Sequence, residues 1–123
     1  MLHSIDLSVI IPVYNVEKYL PHCLESVLIQ ADNNIEVIAI NDGSIDKSPE
    51  ILDQYATQYP SLKIINQPNQ GVSAARQKGI TVAHGKYILF LDADDFLEAS
   101  SLNILYKKAI EADADGSYGL LYL

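Results

Sequence analysis

The sequence predicts an α/β fold in which a parallel sheet carries helices on both faces. Short apolar runs rich in Val, Ile and Leu alternate with longer segments in which apolar residues recur every three or four positions. These two patterns are typical of buried strands and of amphipathic helices. Four strand–helix pairs follow one another in this way, which indicates a parallel sheet. Right-handed crossovers then make 3-2-1-4 the natural strand order.

The apolar runs predict four strands, over residues 7–13, 35–40, 62–65 and 87–91. The fourth run has no alternating polar side, which predicts a strand that is buried on both faces. Pro12 cannot donate a hydrogen bond to a neighbouring strand, so the first strand should be ending there.

A helix is expected after each strand. Asn15 is a suitable N-cap for the first helix, and Ser48, which a proline follows, is suitable for the second. The third helix is predicted over residues 71–83, with Gly85 as the glycine that ends it. The fourth is predicted over residues 100–111.

The sequence ends in an apolar run, residues 118–123, that follows a polar loop. This run resembles the start of a further strand, so the predicted unit is truncated after its fourth helix. An apolar strand edge without a neighbour tends to pair with another strand. We therefore expect the run to be disordered or to pair with a second copy of the chain. The second alternative predicts a protein that is partly a homodimer.

Length and composition restrict the class of protein. With 123 residues the chain is at most one domain, and 49% hydrophobic residues suffice for a core. A net charge of −8 argues against binding of nucleic acid through a basic surface. Cys23 is the single cysteine, so it predicts a buried, inert thiol. Without an 18-residue apolar run or a signal-peptide pattern, no membrane span and a cytoplasmic location are expected.

Three carboxylates follow the fourth strand directly. Asp92, Asp94 and Asp95 lie at its carboxyl end, where open α/β sheets bind ligands. A turn after Leu91 would let Asp92 and Asp94 converge, and oxygen ligands suit Mg²⁺ or Mn²⁺, which commonly hold phosphates as well. The alternative is a solvated acidic loop that caps the next helix.

The predicted strand order brings other polar turns to the same edge of the sheet. Tyr14 offers an aromatic ring, Asp42 a carboxylate and Arg76 a cation, and a nucleoside diphosphate needs each of these. Each residue also has a purely structural alternative. Tyr14 could pack against the start of the first helix, Asp42 could form a turn with its glycine, and Arg76 could pair with a surface acid.

Four motifs together resemble a known family. The segments SVIIPVYN (8–15), NDGS (41–44), NQGVSAAR (69–76) and LDADD (91–95) occur in this order. They resemble the nucleotide-sugar-binding half of the family 2 glycosyltransferases, which have the GT-A fold, a Rossmann-like parallel sheet. The resemblance covers residues 5–112 and implies that residues 1–123 form the donor-binding part of such a domain, without its acceptor-binding half.

The resemblance assigns roles on the nucleotide side of the site. Pro12 and Tyr14 match residues that lie beside uracil, with the Tyr14 ring stacked on the base. Asp42 matches the carboxylate that accepts a hydrogen bond from uracil N3–H. Asn69 and Arg76 match polar residues near the nucleotide and its phosphates.

The resemblance also implies a metal. Asp92, Ala93 and Asp94 match the DxD motif, in which Asp92 lies near the ribose and the metal ion and Asp94 binds Mn²⁺ or Mg²⁺ through the diphosphate. Asp95 is a feature of the family for which no role is assigned.

The implied function is inverting transfer of a sugar from a UDP-sugar donor to a saccharide or lipid-linked acceptor, in the synthesis of a cell-surface polysaccharide or glycan. The family's catalytic base belongs to the second half, so no catalytic residue is expected here, and the full enzyme would work at the inner face of the membrane. Two alternatives stay open: a non-catalytic nucleotide-binding fragment, and a receiver-like acidic α/β domain. A dinucleotide-binding domain is disfavoured because no G-x-G-x-x-G follows the first strand.

Overall fold

The computed structural model describes residues 5–112 and 119–121. Within these residues the chain forms five strands and four helices. The strands are β1 (Leu7–Val13), β2 (Ile35–Asp42), β3 (Leu62–Gln67), β4 (Tyr87–Phe90) and β5 (Gly119–Leu121). The helices are α1 (Leu20–Leu28), α2 (Ser48–Gln58), α3 (Val72–Val82) and α4 (Ser101–Ala112).

The strands form one parallel sheet in the order β3-β2-β1-β4-β5, which confirms the predicted order 3-2-1-4. Helices cover both faces. On one face, Val9 and Ile11 of β1 share a core with α1, α2 and α4. On the other face, Ile10 packs with Ala75 of α3. Successive residues of β1 point to opposite faces, so the central strand is buried on both sides.

The fifth strand corrects one expectation about the end of the chain. Residues 119–121 are neither disordered nor without a neighbour, because they pair in parallel with Tyr87–Leu89 of the same chain. The run does begin a further strand, as the sequence predicted, and this strand lies next to β4 in the sheet. Residues 118, 122 and 123 lie outside the described part of the chain, and the homodimer stays a prediction.

Asn15 does not cap the first helix. The helix begins at Leu20, and Asn15 instead has a positive φ of 50° in the connection after β1. Its backbone N–H donates to Oγ of Ser44, and its side-chain oxygen accepts from the N–H of Ile45. Asn15 thus joins the β1–α1 connection to the β2–α2 connection. Pro21 lies in the first turn of α1, where its missing N–H costs no helical hydrogen bond.

Ser48 and Gly85 also have roles other than those predicted. The Ser48 hydroxyl accepts from the N–H of Val16 and makes no cap of its own helix. Gly85 is not a left-handed C-cap, since α3 ends in extended backbone at Ala83. A Cβ at Gly85 would lie 2.5 Å from Oγ of Ser8, so a glycine is needed there for close packing against β1.

A buried carboxylate lies near the amino-terminal ends of the strands. The side chain of Glu36 is 2% exposed and accepts hydrogen bonds from Ser8 Oγ at 2.5 Å, Lys63 Nζ at 2.8 Å and the His84 N–H at 2.5 Å. These bonds link β1, β2, β3 and the α3–β4 connection.

Among the described helices, none is long and apolar enough to span a membrane.

Candidate functional site

A crevice of about 450 Å³ opens at the carboxyl edge of the sheet. The end of β2 and the connections that follow β1, β3 and β4 all contribute to its walls, as the strand order predicted. Seven of the eight predicted site residues line it, and the eighth, Arg76, contacts one of the seven. The lining residues are Pro12, Val13, Tyr14, Val16, Asp42, Asn69, Gly71, Val72, Ala75, Asp92, Ala93 and Asp94.

The first wall comes from the end of β1. Pro12 is still paired with Ile40 of β2, so the strand continues one residue beyond the proline and ends at Val13. Tyr14 follows directly, lines the crevice and is 49% exposed. Helix α1 begins only at Leu20. An exposed ring this far ahead of the helix is better placed to meet a ligand than to pack on the helix start.

Asp42 is the most heavily hydrogen-bonded side chain of the site. It is 3% exposed, and its Oδ1 accepts from Gln67 Nε2 and the Gln70 N–H, both at 2.9 Å. Its Oδ2 accepts from Asn69 Nδ2 at 3.2 Å and the Gly71 N–H at 2.9 Å. Burial acts to raise the pKa of Asp42, but these hydrogen bonds outweigh it and hold the pKa below its usual range.

Two glycines permit this arrangement. Gly43 has a φ of +76°, and a Cβ there would lie only 2.7 Å from the backbone nitrogen of Asn69. Gly71 has a φ of +100° at the start of α3. Both backbone conformations are ones that other residues rarely adopt. The turn after β2 and the connection after β3 can therefore approach closely enough to form one wall.

The acidic wall is a tight turn after β4. The N–H of Asp95 donates to the carbonyl of Asp92 at 3.0 Å, which closes a turn over residues 92–95. Ala93 is buried and anchors this turn in the core, while Asp92 and Asp94 are exposed and line the crevice. The predicted turn after Leu91 is thus present, and it brings both carboxylates to one cavity.

Arg76 reaches the same place from α3. Its Nη2 lies 3.3 Å from Oδ1 of Asp92, and its guanidinium carbon lies 5.7 Å from the centre of the Phe90 ring. Nε of Arg76 is buried and has no hydrogen-bond partner among the described residues. The structural alternative of a surface ion pair is therefore partly correct, but the partner is an acid of the crevice.

The carboxylates of the crevice fit a metal that is shared with a ligand. The described residues contain no group of three or more His, Cys, Asp or Glu side chains that could hold an ion by themselves. Mg²⁺ is commonly bound by one or two carboxylates together with substrate phosphates. Asp92 and Asp94 match that donor set, so the metal site stays a prediction that depends on a phosphate ligand.

The sequence did not reveal the residues that support the acidic turn from behind. Three side chains on one face of the first helix and its end bind the segment that follows β4. Cys23 Sγ lies 3.7 Å from the carbonyl oxygen of Asp92, and Ser26 Oγ accepts from the N–H of Leu97 at 2.9 Å. Gln30 donates to the Glu98 carbonyl at 2.8 Å. Nothing in the local sequence distinguishes these from ordinary helix residues.

The position of Cys23 beneath the acidic turn also accounts for its low reactivity. Burial raises the pKa of Cys23 to about 12, and the carboxylates of Asp95, Asp94 and Asp92 act in the same direction. A thiol with so high a pKa carries almost no thiolate near neutral pH and is a poor nucleophile. Cys23 is therefore a packing residue beneath the acidic turn, and its burial confirms the buried thiol that the sequence predicted.

Comparison with known proteins agrees with this geometry. Glycosyltransferase GlyA of Streptococcus pneumoniae is 43% identical over 122 residues, which are 99% of this chain and 18% of GlyA. The minor teichoic acid biosynthesis protein GgaB of Bacillus subtilis is 45% identical over 104 residues, 81% of this chain and 12% of GgaB. This chain thus spans less than a fifth of either relative.

A solved structure shares the fold. S. aureus TarS 1–349 in complex with UDP-GlcNAc superposes with a TM-score of 0.77 at 30% sequence identity, over 89% of this chain and 31% of TarS 1–349. The sequence profile described as Glycosyl transferase family 2 matches residues 8–123. Because this match extends over most of the sequence, the chain belongs to glycosyl transferase family 2.

Proposed function

We propose that this chain is the donor-binding part of a glycosyltransferase and binds a UDP-sugar together with Mn²⁺ or Mg²⁺. The observation that carries the proposal is the convergence of an exposed aromatic ring, a buried carboxylate and two exposed carboxylates on one crevice. A relative of this fold, TarS, has been solved with UDP-GlcNAc at 30% identity to this chain.

The base would lie between the end of β1 and Asp42 at the end of β2. The Tyr14 ring, half exposed at the end of β1, offers a face for stacking on uracil, with Pro12 beside it. Asp42 supplies the acceptor for uracil N3–H, and Asn69 lies next to it. Arg76 is the cation nearest to the phosphates, because it already contacts Asp92 at the acidic turn.

Asp92 and Asp94 would hold the metal. When bound, the ion offsets the negative charge that develops on the leaving diphosphate. Asp94 is free to turn its exposed carboxylate towards the ligand, whereas Asp92 is shared with Arg76. The buried Ala93 between them anchors the backbone of the turn, so both acids stay at the edge of the crevice.

The reaction that this site serves is transfer of the sugar to an acceptor hydroxyl with inversion at the anomeric carbon. A base must deprotonate that hydroxyl as it attacks. We place this base, and the saccharide or lipid-linked acceptor, in parts of the family domain that this chain does not supply. The relation to GgaB, named for teichoic acid biosynthesis, favours a cell-surface polymer as product.

Calorimetric titration tests the donor site. UDP should bind more tightly with Mn²⁺ than with a chelator, and more tightly than GDP or CDP. Asp94→Asn should remove most of the metal dependence, whereas Glu98→Gln, a change of the same kind beyond the turn, should preserve it. Equal UDP affinity with and without metal would contradict the metal site. Failure of UDP to bind under either condition would contradict the donor site as a whole.

A further inference from the structure

We propose that Asp42 is a positioning residue that holds residues 67–71 in the shape of the crevice wall before any nucleotide arrives. The inference deepens the proposed function, because it concerns the same site, but it assigns Asp42 a role that does not require the ligand. In this role the carboxylate affects nucleotide binding indirectly, because it holds residues 67–71 in place.

The hydrogen-bond capacity of Asp42 supports this role. A carboxylate has about four lone-pair positions for hydrogen bonds. Each oxygen of Asp42 already accepts two N–H groups from the chain, from the side chains of Gln67 and Asn69 and the backbone of Gln70 and Gly71. A nucleobase N–H could be accepted only by sharing or displacing one of these bonds.

The four donors all come from one segment that borders the crevice. Gln67 is the last residue of β3 and the register partner of Asp42 in the sheet, and Asn69 and Gly71 line the cavity. Nδ2 of Asn69 also donates to the backbone carbonyl of Asp42 at 3.1 Å. One side chain at the end of β2 therefore binds this whole connection.

The position relative to α3 adds a second reason. Gly71 is the N-cap of α3 and has no side chain with which to cap it. The Asp42 carboxylate accepts hydrogen bonds from the N–H groups of Gln70 and Gly71 beside this helix end, where negative charge is favoured. Asp42 thus fixes where α3 begins, and α3 carries Arg76 to the acidic turn.

Amide hydrogen exchange without nucleotide tests the proposal. In Asp42→Asn, either orientation of the new amide turns its NH₂ towards a backbone N–H, that of Gln70 or that of Gly71. Exchange of at least one of these two amides should accelerate on the order of tenfold or more, while the amides of β1 keep their protection. Asp53→Asn, the same change on the exposed side of α2, should leave both amides as they are. Unchanged protection of Gln70 and Gly71 in Asp42→Asn would overturn the proposal.

Nucleotide selectivity separates positioning from base reading. If Asp42 only contacted the base, Asp42→Asn should bind UDP more weakly and CDP more tightly, because the new NH₂ group can donate to cytosine N3. If Asp42 also holds residues 67–71 in place, Asp42→Asn should weaken both UDP and CDP at a temperature well below unfolding. A switch to CDP with the segment still protected would overturn the proposal.

A second variant covers the case in which Asp42→Asn does not fold. Asp42→Ala removes both acceptors without placing an NH₂ group against a backbone N–H, so Gln70 and Gly71 should again exchange faster. If both amides keep their protection in this variant, Asp42 does not organise the segment through these bonds. The exchange arm needs no ligand, so it decides this inference even if UDP fails to bind the unmodified protein.

Discussion

The guanidinium of Arg76 lies 3.3 Å from the carboxylate of Asp92, so that α3 and the acidic turn meet beside the crevice. Both side chains are substantially exposed, at 39% and 60%, and such pairs contribute little to stability. The contact therefore matters mainly for where it holds a positive charge, next to the position proposed for the diphosphate.

Replacing Arg76 by Gln should weaken UDP but leave uridine binding nearly unchanged. Loss of one charged hydrogen bond to phosphate costs about 1.5–3 kcal/mol, which is roughly 10- to 150-fold in affinity. Titration with UDP, UMP and uridine measures the difference. Lys78→Gln, which removes an exposed positive charge elsewhere on α3, is the matched control. Equal losses for uridine and UDP would show that Arg76 acts on the base or on the fold.

Tyr14→Ala should weaken UDP because a stacked base loses its aromatic face. Stacking contributes about 1–3 kcal/mol per base, so the expected loss is roughly 5- to 150-fold. Tyr19→Ala serves as the control, since Tyr19 is 52% exposed and does not line the crevice. If Tyr14→Ala and Tyr19→Ala bind UDP as the unmodified protein does, the base does not stack on Tyr14.

Gly79→Ala should destabilise the fold although alanine is the better helix former. On an exposed helix this change gains about 1 kcal/mol, but Gly79 is buried, and its added Cβ would collide with Cγ2 of Ile10 in β1. Overpacking of this kind costs about 1–3 kcal/mol in the free energy of unfolding. Urea unfolding measures it. In an Ile10→Ala background the cost should shrink, and an undiminished cost would place the clash elsewhere.

The Glu36 network should make stability depend on acid pH. Burial would raise the pKa of Glu36, but the hydrogen bonds from Lys63, Ser8 and His84 outweigh it and lower the pKa to about 2. A carboxyl whose pKa is lower in the folded state stabilises the protein above its unfolded pKa, and this contribution is lost as pH falls towards the folded value.

Unfolding in urea at a series of pH values measures this contribution. Glu36→Gln should be less stable than the unmodified protein at pH 7, and the difference should shrink as pH falls from about 4.5 to about 2. Glu50→Gln, on the exposed side of α2, should show no such convergence. A difference that stays constant across this range would mean that Glu36 contributes through packing alone.

Local sequence patterns predicted much of this fold for physical reasons. Strand and helix periodicities are set by which side of an element faces the core, and the strands over residues 7–13 and 62–65 were found where the apolar runs indicated them. The convergence of Tyr14, Asp42 and Asp92 follows from parallel strand order, because carboxyl ends of neighbouring strands share one edge.

The failed expectations concern side chains whose partners are distant in sequence. Asn15 and Ser48 look like helix caps, yet they bind residues about thirty positions away. Gly85 looks like a helix C-cap, but its requirement comes from Ser8, 77 positions earlier. A cap signal describes only the neighbouring backbone, so it cannot reveal that a distant part of the chain already uses the same hydroxyl or needs the same space.

Gln30 has a contact pattern that restricts which residues can replace it. Its Nε2 donates to the Glu98 carbonyl while its Oε1 accepts from the N–H of Leu102, in the first turn of α4. Glutamate can only accept, lysine can only donate, and methionine does neither well. In a saturation library selected for a folded, UDP-binding protein, we expect position 30 to retain glutamine while its exposed neighbour Ile29 varies freely. Free substitution at position 30 would show that these two hydrogen bonds are not needed for folding or for UDP binding, and retention would mark a position that tolerates few substitutions although it touches no ligand.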